Sequence, residues 1–133
     1  MAHSRALPVA AILAAATLVL VSCNSNNSTG PQNTSSLAGT YSLTSLTYGG
    51  QPATATGTMK LTDSTYTASL NMTQPAAFAF NDTGTYTAAG GTWTQVSSTG
   101  LGTYSGTYTL TNNTLTVNVN ISGIALGMVW QRQ

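Results

Sequence analysis

Charged side chains are almost absent from this chain. Its 133 residues include three Lys or Arg, two Asp and no Glu. Arg5 lies near the N-terminus, and the remaining charges are Lys60, Asp63, Asp82 and Arg132. These four charges cancel, whereas a nucleic-acid-binding surface needs clustered Lys and Arg. The composition therefore argues against nucleic acid as a partner and against steering of a charged partner.

Reactive side chains are equally scarce. His3 is the only histidine and Cys23 the only cysteine. The chain after residue 23 can therefore form neither a Ser–His–Asp nor a Cys–His arrangement, and it lacks the ligands of a zinc site. We expect Asp63 and Asp82 to lie in turns, where Asp caps its own backbone. The sequence predicts a protein that is not an enzyme and has no metal site and no cofactor.

The one long apolar run lies at the N-terminus. Residues 6–21 carry no charge and follow a short segment that contains Arg5. A membrane-spanning helix needs ~20 apolar residues, whereas the apolar part of a secretory signal needs only ~7–15. Residues 1–22 are therefore predicted to be a signal peptide.

The end of this run resembles the bacterial lipobox. Leu20, Val21 and Ser22 precede Cys23, as a leucine and two small residues precede the acylated cysteine in that family. The resemblance implies cleavage before Cys23, acylation of its thiol and anchoring in a lipid bilayer. Asn24 is not the aspartate that often retains such proteins in the inner membrane. The implied location is the cell envelope, in the outer membrane if the cell has one.

Residues 23–38 are predicted to be a lipidated, flexible tether. They are rich in Asn, Ser and Thr, contain no aromatic residue and include no charge. Such a segment cannot bury enough apolar surface to offset the entropy lost on ordering. We expect the folded domain to comprise residues 39–133.

Apolar and polar residues alternate with period two through this domain. Residues 65–72 and 114–121 show the pattern most clearly, and it is typical of strands with one buried face. Strands are predicted over 39–48, 56–62, 65–72, 77–80, 83–88, 91–97, 102–111, 114–121 and 124–132. If 77–80 and 83–88 form one bulged strand, the domain has eight strands. In the first strand, a bulge near Thr44 and Ser45 would turn both of its apolar pairs inward.

Short connections between successive strands predict an all-β, antiparallel up-and-down meander. Its two ends resemble those of short bacterial lipocalin-like domains, with Gly39 and Arg132 at the characteristic positions and Tyr41 in place of the usual Trp. The resemblance implies a closed barrel, with Arg132 packed across Tyr41 or Trp130. Avidin-like and lysozyme-inhibitor-like small barrels share the strand pattern.

Two hypotheses for function follow from this fold. In the first, the barrel of a monomer binds a small, apolar, uncharged ligand through inward-facing side chains: Tyr66, Trp93, Gln95, Tyr104, Tyr108 and Trp130. In the second, the interior is filled by its own side chains, and the loops bind a protein as an envelope assembly factor or an inhibitor. Ice binding through Thr-x-Thr ranks is a third class, which the curvature of a barrel disfavours. An interior cavity of several hundred Å³ would favour the ligand.

Overall fold

The computed structural model describes residues 36–133. Cys23, the predicted signal peptide and residues 24–35 of the predicted tether lie outside the described residues. Within 36–133 the chain forms eight strands: β1 (Gly39–Tyr48), β2 (Gln51–Leu61), β3 (Thr65–Gln74), β4 (Phe78–Ala89), β5 (Thr92–Ser97), β6 (Thr103–Thr111), β7 (Thr114–Ile121) and β8 (Ile124–Arg132).

The strands close into one barrel. Each strand pairs antiparallel with the next, and β1 also pairs with β8 from Tyr41 opposite Arg132 to Tyr48 opposite Leu126. Closure removes the free edges through which an open sheet would pair with other chains. The predicted all-β, lipocalin-like up-and-down barrel is confirmed.

Alternation places the apolar residues inside. On β7, Leu115, Val117 and Val119 are buried, and on β3, Tyr66 and Met72 are buried, while the Thr and Asn residues between them face outward. Burial of apolar area stabilises the fold by ~25 cal/mol per Å². The inward set is the one that the period-two pattern predicts.

The predicted bulge in β1 is present. The β1–β8 register shifts between Leu43 and Ser45, and the β1–β2 register shifts between Ser42 and Leu46. The extra residue brings both Tyr41 and Leu46 into the interior, where they are 0% and 3% exposed. A bulge of this kind also helps β1 to bend around the barrel.

The predicted fusion of two segments is confirmed, and one strand begins earlier than predicted. The segments 77–80 and 83–88 are one strand, β4, which runs through Asp82 without interruption. Strand β2 begins at Gln51 rather than at residue 56, because Gly49 and Gly50 complete the preceding turn with φ of 57° and 81°. A pair of residues with positive φ is the requirement of a tight two-residue hairpin, and Gly satisfies it without strain.

The strand directions define two ends of the barrel. We call the open end the one formed by the turns 49–50, 75–77, 98–102 and 122–123. The closed end carries the turns 62–64, 90–91 and 112–113 together with Ser36 and the C-terminus. Within 36–133 no helix is long and apolar enough to span a membrane.

Candidate functional site

A cavity of about 340 Å³ lies inside the barrel. This volume falls at the lower end of the ~300–1,000 Å³ typical of small-molecule sites. Most of its wall is apolar, and the apolar residues that line it include Met59, Leu70, Met72, Trp93, Val117, Val119, Met128 and Trp130. The interior is therefore not filled by its own side chains.

The cavity extends to the open end. Tyr48, Ile121 and Ile124 line it there, and so do Phe78 and Leu101. Phe78 and Leu101 are large apolar residues that are nonetheless 52% and 46% exposed. An apolar molecule passing between these turns would meet apolar side chains from solvent to interior.

The opposite end is packed. Tyr86 stacks on Trp93 with ring centroids 4.8 Å apart, and its hydroxyl donates to the carbonyl of Thr62 at 2.6 Å. Burial, with smaller contributions from Tyr41 and Asp63, raises the pKa of Tyr86 to about 12. The ring stack is thus held against the 62–64 turn of the closed end.

Arg132 fastens the closed end. Its guanidinium carbon lies 5.3 Å from the centroid of the Tyr41 ring, and its Nη2 donates to the Tyr41 hydroxyl at 2.7 Å. Nη2 also donates to the carbonyl of Ser36 at 2.7 Å, and the Tyr41 hydroxyl donates to the carbonyl of Leu37 at 2.7 Å. The contact expected between Arg132 and Tyr41 is thus present. It also holds the first described residues against the barrel.

Asp82 belongs to the barrel interior, and its predicted place in a turn is wrong. It is 3% exposed and lies on the inward face of β4. Its carboxylate accepts hydrogen bonds from the hydroxyls of Tyr66 at 2.5 Å, Ser97 at 2.6 Å and Thr99 at 2.8 Å, and from the N–H of Thr83 at 2.9 Å. Burial acts to raise the pKa of Asp82, but these hydrogen bonds outweigh it and hold the pKa below its ordinary value.

Asp63 does lie in a turn, but Thr62 makes the capping hydrogen bonds there. The Thr62 hydroxyl accepts from the N–H of Thr65 at 3.0 Å and of Ser64 at 3.4 Å. Asp63 is exposed and accepts from the Ser36 hydroxyl at 3.4 Å. The expectation that the Asp63 side chain caps its own backbone is therefore not met.

Tyr66 reaches Asp82 because a glycine leaves room for its ring. A Cβ at Gly84 of β4 would lie 1.9 Å from the carbonyl oxygen of Val96 and 3.1 Å from the Tyr66 ring. Only a residue without a side chain fits between them. Burial, together with the hydrogen bond and the negative charge of Asp82, raises the pKa of Tyr66 far above its usual range.

Two further polar side chains line the cavity beside Tyr66. Tyr104 lies opposite Gln95 in the β5–β6 pair, and its hydroxyl donates to the carbonyl of Leu101. The oxygen Oε1 of Gln95 accepts from the indole N–H of Trp93 at 2.8 Å. Burial and the charge of Asp82 raise the pKa of Tyr104. We call Tyr66, Gln95 and Tyr104 the polar patch of the cavity.

The structure brings together most of the side chains predicted to contact a ligand. Five of them line the cavity: Tyr66, Trp93, Gln95, Tyr104 and Trp130. Tyr108 is not part of the lining; its ring packs against Trp93 at 6.2 Å, on the side of the closed end. Trp130 carries the one buried side-chain polar atom in residues 36–133 that lacks a hydrogen-bond partner, its Nε1.

Sequence reasoning missed the role of Asp82 and of the 98–102 turn. Asp82 lies on the inward face of β4. The hydroxyls of Ser97 and Thr99 that stabilise this carboxylate come from another strand and its following turn. No local pattern around residue 82 points to them. Within 36–133 no three His, Cys, Asp or Glu residues lie close enough to hold a metal ion.

Comparisons with known proteins add little to this description. No protein-family model and no curated protein matches the chain. Chains of solved structures do match it, and one is a mutant of the fluorescent protein UnaG, with 12% identity and a TM-score of 0.40 over 72% of this chain and 95% of that chain. The barrel assignment rests on the strand register of this chain.

Proposed function

We propose that this protein is a lipid-anchored, non-catalytic envelope protein whose barrel binds one small, uncharged, largely apolar molecule. The observation that carries the proposal is the cavity of about 340 Å³ that reaches the open end. The alternative, a protein-interaction module, required a filled interior. A cavity of this size favours a ligand instead.

The chemistry of the wall supports an uncharged ligand. The lining residues include no Lys, Arg, Asp or Glu. A charged group would lose its hydration without gaining an ionic partner, which is costly in an apolar environment.

The first described residue, Ser36, lies at the end of the barrel opposite the cavity mouth. The chain arrives from Cys23 at Ser36, which Arg132 holds at the closed end. A barrel attached through acylated Cys23 would therefore be tethered from its closed end. Two or more acyl chains would hold it stably, since each buried methylene contributes ~0.8 kcal/mol.

Native mass spectrometry of the protein purified from its own host tests ligand binding. We expect a mass above that of the chain and its acyl groups, which disappears on organic extraction. The absence of any retained molecule, together with no binding of added apolar compounds, would contradict the ligand hypothesis.

Fractionation of cells tests the anchor separately. We expect Cys23→Ala to move the protein from the detergent-extractable membrane fraction to the soluble fraction, because the acylated thiol is lost. Ser22→Ala is the matched control, because a small residue remains before the cysteine. Membrane association that is unchanged by Cys23→Ala would contradict lipidation.

A further inference from the structure

The polar patch determines which polar group an otherwise apolar ligand can carry. Its three side chains lie in an otherwise apolar wall, and Gln95 is 8% exposed while Tyr66 and Tyr104 are 2% and 5% exposed. Buried polar groups of this kind need hydrogen-bond partners. The partners that they already have determine which group of a ligand can join them.

Each of the two tyrosine hydroxyls in the polar patch already donates its only proton in a hydrogen bond. Tyr66 donates to Oδ2 of Asp82 at 2.5 Å, and Tyr104 donates to the carbonyl of Leu101. A phenol has one donor and retains acceptor capacity on its oxygen. Toward the cavity, Tyr66 and Tyr104 can therefore act only as acceptors.

Gln95 offers the complementary group. An indole N–H is a donor only, so the Gln95 atom that faces Trp93 must be the carbonyl oxygen, at 2.8 Å. This orientation leaves the amide nitrogen with two N–H donors. One of these donors lies near enough to the Tyr66 hydroxyl to act on the pKa of Tyr66, which it lowers, and the second is left for a ligand. The patch thus presents two acceptors and one donor group.

The negative charge of Asp82 disfavours a negatively charged ligand at the polar patch. Its four hydrogen-bond donors, on Tyr66, Ser97, Thr99 and Thr83, are all uncharged, so none of them neutralises it. Tyr66 separates the carboxylate from the cavity, and Asp82 itself is not part of the lining. A ligand carboxylate at the patch would meet two acceptor oxygens and a nearby like charge.

We propose that the polar patch recognises an uncharged hydroxyl group, so that the ligand class is an apolar alcohol rather than a fatty acid. This inference rests on the proposed function. A hydroxyl donates one hydrogen bond, to Tyr66 or Tyr104, and accepts another from Gln95. A carboxylate has no proton to donate to the Tyr66 or Tyr104 oxygen. A hydrocarbon can neither donate to these oxygens nor accept from Gln95.

Calorimetric titration of the full chain with octanol, octanoate and octane at neutral pH separates these cases. The three compounds share one chain length and differ only in the terminal group. We expect octanol to bind about tenfold more tightly than octane, which corresponds to a well-formed net hydrogen bond. Octanoate, ionised at this pH, is expected to bind more weakly than either.

Variants locate the effect at the patch. Tyr66→Phe and Gln95→Met are each expected to reduce the ratio of octanol affinity to octane affinity to about one to threefold. Tyr108→Phe removes the same atom as Tyr66→Phe at a site outside the lining, and it should leave the ratio unchanged. Using the ratio cancels any general loss of stability, because both compounds enter the same cavity.

The outcomes distinguish this inference from the proposed function. Octanoate binding as tightly as octanol, octane binding as tightly as octanol, or a preference for octanol that survives both patch variants would overturn the hydroxyl assignment alone. Binding of none of the three compounds would overturn the ligand hypothesis as well.

Discussion

The two ends of this barrel are built differently from the same alternating pattern. At the closed end the inward positions hold large rings in one buried cluster, including Tyr41, Tyr86 and Trp93; Tyr86 stacks on Trp93, and Arg132 contacts Tyr41. At the open end the buried inward residues are Leu46, Leu70 and Met72, and the space between them remains empty. The ring packing with the Arg132 contacts thus lies at the closed end, and the mouth of the cavity lies at the open end.

The largest expected difference between the two ends is in the free energy of unfolding lost when a buried Leu is replaced by Ala at each end. Leu115 is 0% exposed and outside the cavity lining, whereas Leu70 lines the cavity. Leu115→Ala is expected to lower the free energy of unfolding by ~4 kcal/mol and Leu70→Ala by ~2 kcal/mol, because part of the space beside Leu70 is already unfilled. Denaturant unfolding followed by tryptophan fluorescence measures both. Equal losses would mean that the open end is packed as densely as the closed end.

Removing the Arg132 side chain is expected to destabilise the closed end without affecting the open end. Arg132→Ala loses the contact with the Tyr41 ring and the hydrogen bonds to Tyr41 and Ser36. A cation–π contact contributes ~0.5–2 kcal/mol, and a loss of ~1 kcal/mol lowers the melting temperature of a domain of this size by ~4–8 °C.

Lys60→Ala is the matched control for this variant, because it removes a cation from an exposed position on β2. Calorimetry should show a shift for Arg132→Ala alone, with binding at the open end retained. Equal melting temperatures for the two variants would show that Arg132 does not fasten the end.

The smallest expected effect is on the stability of the protein at acidic pH. The pKa of Asp82 is lower in the folded state than its ordinary value of ~3.9. The unfolded chain therefore binds more protons below that pH, so the contribution of Asp82 is complete above pH ~4 and is lost as the pH falls through the folded pKa.

We expect the free energy of unfolding of the wild type to decrease between pH ~5 and ~2, and Asp82→Asn to flatten this dependence. Asp63→Asn, at an exposed turn of the closed end, serves as the control. An unchanged pH dependence in Asp82→Asn would contradict the assignment.

The fold was largely predictable because it depends on local alternation. Tyr66, Leu70 and Met72 on β3, and Leu115 and Val117 on β7, point inward as their spacing indicates. The bulge that turns Tyr41 and Leu46 inward followed from the change of parity within β1. Pairing of β1 with β8 agreed with the closed barrel that the resemblance implied.

The polar part of the site was not predictable in the same way. Asn81 and Asp82 look like turn residues in the sequence, and the buried carboxylate is stable because hydroxyls from β3, β5 and the 98–102 turn donate to it. Whether an eight-strand interior is filled or empty depends on how side chains from all strands meet, and spacing along one strand does not determine it. For the same reason Tyr108, with inward parity, packs under Trp93 outside the cavity.

The central claim is that the cavity at the open end holds a ligand, and filling that cavity tests it most directly. Val119→Phe places a larger ring on the lining, whereas Val96→Phe makes the same change at a residue that is 46% exposed and outside the lining. A saturable change in the fluorescence of Trp93 and Trp130 on titration with a neutral isoprenoid alcohol is the measurement. We predict that the wild type and Val96→Phe bind and that folded Val119→Phe does not. Binding of equal affinity in all three proteins would contradict the claim.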